Sequence, residues 1–399
     1  MRFALLGDHP DGLDVSRAFA DTGRHELAVY AGPLTGGEQL ARWGLHPSRI
    51  GDLEEVLADP AIDAVIVATP QGNRPAVLRR ALQSERHVLC VHPADRTADI
   101  AFEAALLQSD TGCVLLPLLP EALHAVVCRF AELARAAKAA VLLEVERWTT
   151  EAPVDLAEVD VTLPGWDVLR AIGGEIGEVF AMAAAEEEAR PGDPLLVSGR
   201  FVSGLLFRIT HLAGQREPRW RLTLVSDASP MTLEFPEGWP GPARLTYTNE
   251  AGEPHVDEWP AQNPWLAVVE SFEAVLGGPR GTSRLSWQDE LRSLELDDAV
   301  RRSIERRRSS TLDLQDTTEE ASFKGTMTLA GCGLLWLSLV LLILAAWFPK
   351  LLWVIGPLFG VFLVLQALRW VIPPRRPEQK TSAAPPAAST PQSRDRPWS

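Results

Sequence analysis

Two stretches near the C-terminus constrain this chain more than anything else in it. Residues 327–348 carry no charged side chain, and residues 351–372 are interrupted only by Gln366 and Arg369. Each run is 22 residues long, and about 20 residues at 1.5 Å rise cross a bilayer core of about 30 Å. Between them Pro349 and Lys350 allow only a tight turn, so the expectation is an antiparallel two-helix hairpin in membrane lipid. Trp347, Trp353 and Trp370 stand near segment ends, as interfacial aromatics do. Arg301, Arg302, Arg306, Arg307, Arg308 and Lys324 precede the hairpin, and Arg369, Arg375, Arg376 and Lys380 follow it. Only Lys350 lies in the turn. By the positive-inside rule both flanks face the cytoplasm. Residues 1–7 are too short for a signal segment. The expectation is a two-pass cell-membrane protein with its N-terminal part and C-terminal tail in the cytoplasm.

With 399 residues the chain can bury two cores. A net charge of −15 argues against nucleic acid as a partner. The arginines at 301–308 suit either anionic lipid or a solvated helix face. Cys90, Cys113, Cys128 and Cys332 have no metal-like or paired spacing, so they read as small buried residues and no metal site is expected.

Residues 1–120 alternate short apolar strands with helical stretches: strands over 2–7, 25–30, 63–70, 87–91 and 113–116, helices up to 20 and over 53–58, 75–84 and 98–109. Strands apolar on both faces, separated by helices, mean a parallel doubly wound sheet. From 121 to 315 the rhythm changes. One helix is expected over 121–138, extended segments over 141–148, 178–185, 220–225, 231–235 and 243–248, and helices over 265–276 and 287–307. Trp220, Leu222 and Leu224 alternate with Arg221, Thr223 and Val225, as in a sheet with one face covered. Residues 316–326 read as a linker, and 373–399 as a disordered tail.

The order of these elements resembles the Gfo/Idh/MocA oxidoreductases. Asp63-Ala64-Val65-Ile66-Val67-Ala68-Thr69-Pro70 is similar to that family's fourth strand with its Thr-Pro ending. Arg86-His87-Val88-Leu89-Cys90-Val91-His92-Pro93 is similar to the strand leading into Glu-Lys-Pro. Gly173-Gly174-Glu175-Ile176-Gly177-Glu178-Val179 resembles a glycine turn into a strand, and residues 298–308, with Ser303, the closing helix. The resemblance covers about residues 1–315. It implies an α/β Rossmann domain followed by an α+β open-sheet domain, NAD or NADP as cofactor, and a homo-oligomer formed through the second-domain sheet.

It also implies site positions, several of them altered here. The phosphate turn reads Gly7-Asp8-His9-Pro10-Asp11-Gly12. Gly7 and Gly12 keep the first and third glycines of the fingerprint, while His9 replaces the second, where backbone must approach pyrophosphate. Asp8 and Asp11 add negative charge beside it, Pro10 removes a donor, and no acid follows the second strand for the ribose. Thr69, Pro70 and Pro93 complete the implied cofactor set. Val91-His92-Pro93 puts His92 in the place of the family's lysine; histidine is an acid or base near neutral pH. Asp160 and Asp167 match the spacing of two aspartates, with Pro164 where the family has histidine; Asp167 could cap a helix starting at Val168. Two readings result. In the first, the motifs are too degenerate for dependable dinucleotide binding, and the protein is catalytically silent, binding an unknown small molecule or protein partner at the membrane. In the second, it is an NAD(P)-dependent oxidoreductase acting on a sugar, polyol or related molecule, with His92 and Asp160 in the site.

Overall fold

A computed structural model describes residues 1–137, 140–149, 165–183, 194–213, 218–227, 230–249, 251–277, 284–307 and 310–312. The runs 327–348 and 351–372, the linker and the tail lie outside these residues. Among the described residues no helix is long and apolar enough to cross a membrane.

The N-terminal part builds β1 (Arg2–Gly7), α1 (Pro10–Asp21), β2 (Glu26–Ala31), α2 (Leu34–Arg42), β3 (Ser48–Arg49), α3 (Leu53–Ala58), β4 (Ala64–Ala68), α4 (Arg74–Gln83), β5 (His87–Val91), α5 (Ala98–Thr111) and β6 (Leu115–Leu118). The strands form one parallel sheet in the order β3-β2-β1-β4-β5-β6. Successive residues of a strand face opposite sides, and both sides are covered. Phe3, Leu5 and Ile66 pack with Phe19 on one side. Ala4, Leu6, Val65 and Val67 pack with Leu78 on the other. This is why β1 and β4 read as continuous apolar runs.

The helix expected over 121–138 is broken. A 3-10 turn at Glu121–Leu123 ends at His124, whose backbone is extended (φ −58°, ψ 132°), and α6 (Ala125–Ala136) starts afresh. The His124 imidazole accepts the Val126 N–H at 3.3 Å, a side-chain cap that helical periodicity alone does not reveal.

After α6 come β7 (Ala140–Thr149), α7 (Trp166–Gly173), β8 (Ile176–Ala183), β9 (Leu195–Phe201), β10 (Leu206–Ala213), β11 (Arg219–Ser226), β12 (Met231–Phe235), β13 (Ala243–Thr248), β14 (Pro254–Trp259), α8 (Pro264–Gly277), α9 (Trp287–Arg306) and β15 (Ser310–Thr311). Their strands make a mixed nine-stranded sheet ordered β14-β13-β12-β11-β7-β10-β9-β8-β15. Trp220, Leu222 and Leu224 are buried in its core as their alternation requires.

The two C-terminal helices return to the first sheet. In α8, Val268, Val269 and Phe272 join Phe3 and Phe19. In α9, Trp287, Leu291 and Leu294 pack under the first sheet, while Leu296, Ala299 and Val300 belong to the second core. One long helix therefore spans both cores and carries side chains into the space between them.

Candidate functional site

The turn after β1 keeps two of its glycines for steric reasons. Gly7 has φ +103°, and a Cβ there would lie 2.3 Å from the Ala68 carbonyl oxygen. At Gly12 a Cβ would lie 2.3 Å from Ala68 Cβ, so α1 can approach β4 only without one. Between them the His9 N–H donates to the Ala68 carbonyl at 3.0 Å. The His9 ring folds back to cap α1, accepting the Asp11 N–H on Nδ1 at 3.3 Å. Burial, with Arg74 nearby, lowers its pKa against the opposing pull of Asp8, which suits an acceptor ring. Two of the helix's free donors are thereby removed, one by this cap and one by Pro10.

A cavity of about 600 Å³ opens beyond the strand ends, lined by Leu6, Ala31, Gly32, Arg49, Thr69 and Val77 among others. The buried Thr69 hydroxyl has no hydrogen-bond partner among the described residues. A cavity at the carboxyl ends of a doubly wound sheet, with two glycines holding the first turn and an unsatisfied hydroxyl in its wall, fits the adenosine half of a dinucleotide. The pyrophosphate position is poorer in donors.

Arg74, absent from the sequence reading, ties the cofactor-side loops together. Its guanidinium is buried and donates to the Thr69 carbonyl at 3.1 and 2.9 Å, to the Val91 carbonyl at 3.5 Å and to the Pro93 carbonyl. Thr69 and Pro93 are thus held by one side chain, and Pro70 follows Thr69 beyond the end of β4.

A second cavity, of about 250 Å³, lies between the two sheets and is lined by Asp11, His92, Glu121, Asp167, Trp239 and Trp265 among others. His92 Nδ1 lies 2.7 Å from Glu290 Oε2, and the other Glu290 oxygen accepts the Ala94 N–H at 2.6 Å. Glu290 is wholly buried on α9. Burial alone would lower the His92 pKa, but the charge and hydrogen bond of Glu290, with Asp297 and Asp167 further off, outweigh it and raise it. Asp167, from α7, is pushed up to about 7 by burial and by Glu121, against the opposing pull of the Ala122 and Val168 amides and His92. It is not the helix cap. Gly165, at φ +97°, precedes α7, while the Asp167 carboxylate accepts the Ala122 N–H at 3.0 Å and so joins α7 to the 3-10 turn. Glu121 is paired with Arg147 at 2.9 and 3.2 Å, and Arg147 lies over the Trp220 ring at 4.9 Å. Asp11 is pushed up to about 6, by burial and by Asp14.

The structure therefore brings His92 and Asp167 to one cavity, and Gly7, His9, Gly12, Thr69 and Pro93 to the adjoining carboxyl ends of the strands. Asp160 and Pro164 lie outside the described residues. Glu290, Glu121 and Arg74 were not read from the sequence. An acid in the first turn of the closing helix was visible in Trp287-Gln288-Asp289-Glu290, but its target, 198 positions away, was not. No group of residues fit to hold a metal occurs among the described residues.

Residues 16–117 match the model of the GFO_IDH_MocA oxidoreductase family, described as an NAD-binding Rossmann fold. The matched stretch begins after the phosphate turn and includes Thr69, Pro70, His92 and Pro93. The chain is 27% identical over 172 residues to D-xylose 1-dehydrogenase (NADP(+)) 2 of Haloferax volcanii, which spans 42% of this chain and 53% of that protein. It is 30% identical over 118 residues to inositol 2-dehydrogenase of Mycolicibacterium gilvum, 29% of this chain and 34% of that protein. The chain thus spans about half or less of the curated relatives it matches. Levoglucosan dehydrogenase, solved with NADH and L-sorbose, superposes with a TM-score of 0.65 at 16% identity, covering 79% of this chain and 99% of that one. At such identity the shared property is the fold: a Rossmann sheet joined to a second, open sheet. The family model and the two curated relatives favour the oxidoreductase reading over a catalytically silent one, and they weigh towards dinucleotide binding where the altered turn weighed against it.

Proposed function

We propose that the chain is an NAD(P)-dependent oxidoreductase acting on a sugar, polyol or related small hydroxylated molecule. The observation that carries this reading is the cavity where His92, braced by Glu290, and Asp167 meet from opposite domains. Its volume suits a molecule of sugar size, and Trp239 and Trp265 in its lining supply apolar surface of the kind a sugar ring packs against. Gly7, Gly12, Thr69 and Pro93, at the carboxyl ends of the strands, would hold a nicotinamide dinucleotide, which would supply the hydride acceptor or donor. The chain supplies binding and proton management. With Nδ1 held by Glu290, His92 keeps Nε2 for a substrate hydroxyl. Asp167, pushed up to about 7, lines the same cavity: in the oxidising direction His92 takes the hydroxyl proton and Asp167 relays it to water, and in the reducing direction the proton returns by the same route. Histidine thereby takes over from the family's lysine, with Glu290 favouring its charged form.

The test is turnover of the full chain on a panel of aldoses and inositols with NAD+ and NADP+. His92→Ala should lower it about 100-fold or more. No turnover on any substrate, together with no binding of either dinucleotide at millimolar concentration, refutes the proposal. The apolar runs at 327–348 and 351–372 support a further proposal, that this oxidoreductase is tethered to a membrane. Release of the expressed chain by alkaline carbonate would refute that tether.

A further inference from the structure

We infer that Arg49 makes the cofactor site select the 2′-phosphorylated dinucleotide, NADP(H), over NAD(H). The inference rests on the oxidoreductase reading and concerns the larger cavity at the carboxyl ends of the strands. A site that prefers NAD ordinarily places a carboxylate after the second strand to accept from the ribose 2′-hydroxyl. Here β2 runs into Ala31-Gly32-Pro33, and no carboxylate is among the residues lining the cavity. Nor could one be placed at position 32 without rearrangement. A Cβ on Gly32 would meet the Tyr30 hydroxyl at 2.5 Å, and that hydroxyl is fixed by its bond to the Pro33 carbonyl at 2.8 Å. The nearby Asp8 is not in the lining and accepts from the Thr35 hydroxyl at 3.3 Å.

A cation stands there instead. β3 pairs with β2 so that Arg49 lies opposite Tyr30, and Arg49 Nη2 donates to the Gly32 carbonyl at 3.2 Å. That contact points the guanidinium at the end of β2, and no ion pair to a carboxylate engages it among the described residues. Its remaining N–H donors match the planar fork that reads phosphate oxygens. A 2′-phosphate would gain charge-assisted hydrogen bonds there, and a 2′-hydroxyl would gain none of that charge. The exposure of Arg49 makes the preference salt-dependent.

The experiment titrates NADPH and NADH, by fluorescence or calorimetry, into the full chain in mild detergent at low and high salt. The expected result is NADPH bound about ten-fold or more tightly than NADH at low salt, with the ratio shrinking as salt rises. Arg49→Glu should bring the ratio to one or below, and Arg49→Lys should keep part of it; circular dichroism confirms that both variants fold. Equal or tighter binding of NADH by the wild type, or a ratio unmoved in Arg49→Glu, overturns the inference while leaving the oxidoreductase reading intact. Binding of neither dinucleotide overturns the inference and, together with no turnover on any substrate, the oxidoreductase reading as well.

Discussion

Replacing Glu290 by glutamine keeps the side chain's size and removes its charge from the centre of the candidate site. The carboxylate accepts two short hydrogen bonds, from the Ala94 N–H at 2.6 Å and from the His92 ring at 2.7 Å. The glutamine amide oxygen can still serve Ala94, but its NH2 group must face His92 Nδ1, which then has to be an unprotonated acceptor. Hydrogen bonds to charged groups are roughly twice as strong as neutral ones, so the change should cost about 2 kcal/mol, or roughly 3 °C in Tm for a folded unit of this size. The more specific readout is the His92 imidazole titration followed by NMR. With Glu290 gone, burial is the largest remaining influence and the pKa should fall. The sign of the pH dependence follows. A raised histidine pKa contributes stability that is present below the ordinary imidazole value and is lost as pH rises through the folded value. Glu290→Gln should therefore destabilise more at pH 6 than at pH 9. An unmoved His92 titration, or the same loss of stability at both pH values, would refute the reasoning.

Three further outcomes are expected. Arg74→Met leaves the carbonyls of Thr69, Val91 and Pro93 without their shared donor and should cost about 3 kcal/mol or more; a urea midpoint shift worth under about 1 kcal/mol would contradict this. Gly12→Ala drives a methyl into Ala68 and should cost about 1–3 kcal/mol, much of it recovered in the Gly12→Ala/Ala68→Gly double variant; equal stability of single and double variants would count against the contact. Asp167, pushed up to about 7, keeps its proton in the folded state where the unfolded chain has released it, so its contribution to stability is lost between about pH 4 and 7. Asp167→Asn should flatten the pH profile of unfolding free energy across that window by a few kcal/mol, and an unchanged slope would exclude the assignment.

Local pattern by itself determined where most elements lie. α3, β5, β12 and β13 stand where periodicity puts them, because a strand buried on both faces or an alternating β-segment records its own environment in neighbouring residues. The order of the N-terminal elements was likewise enough to indicate the parallel sheet. Elements whose identity depends on a neighbour were not legible: α2 and β3, strands β9, β10 and β14, and the break at His124, where a side chain replaces helical hydrogen bonding. The site shows the same division. Gly7 and Gly12 announce a turn, but only the distance to Ala68 explains why nothing larger fits. His92 could be singled out from Val91-His92-Pro93, yet its charge state is set by Glu290, brought from 198 positions away when α9 folds back under the first sheet. Likewise nothing around Arg49 in the sequence connects it with Gly32, which β-pairing alone places beside it. Protonation and charge recognition depend on what stands within a few ångströms in space, and chain order carries that information only after the sheets have packed.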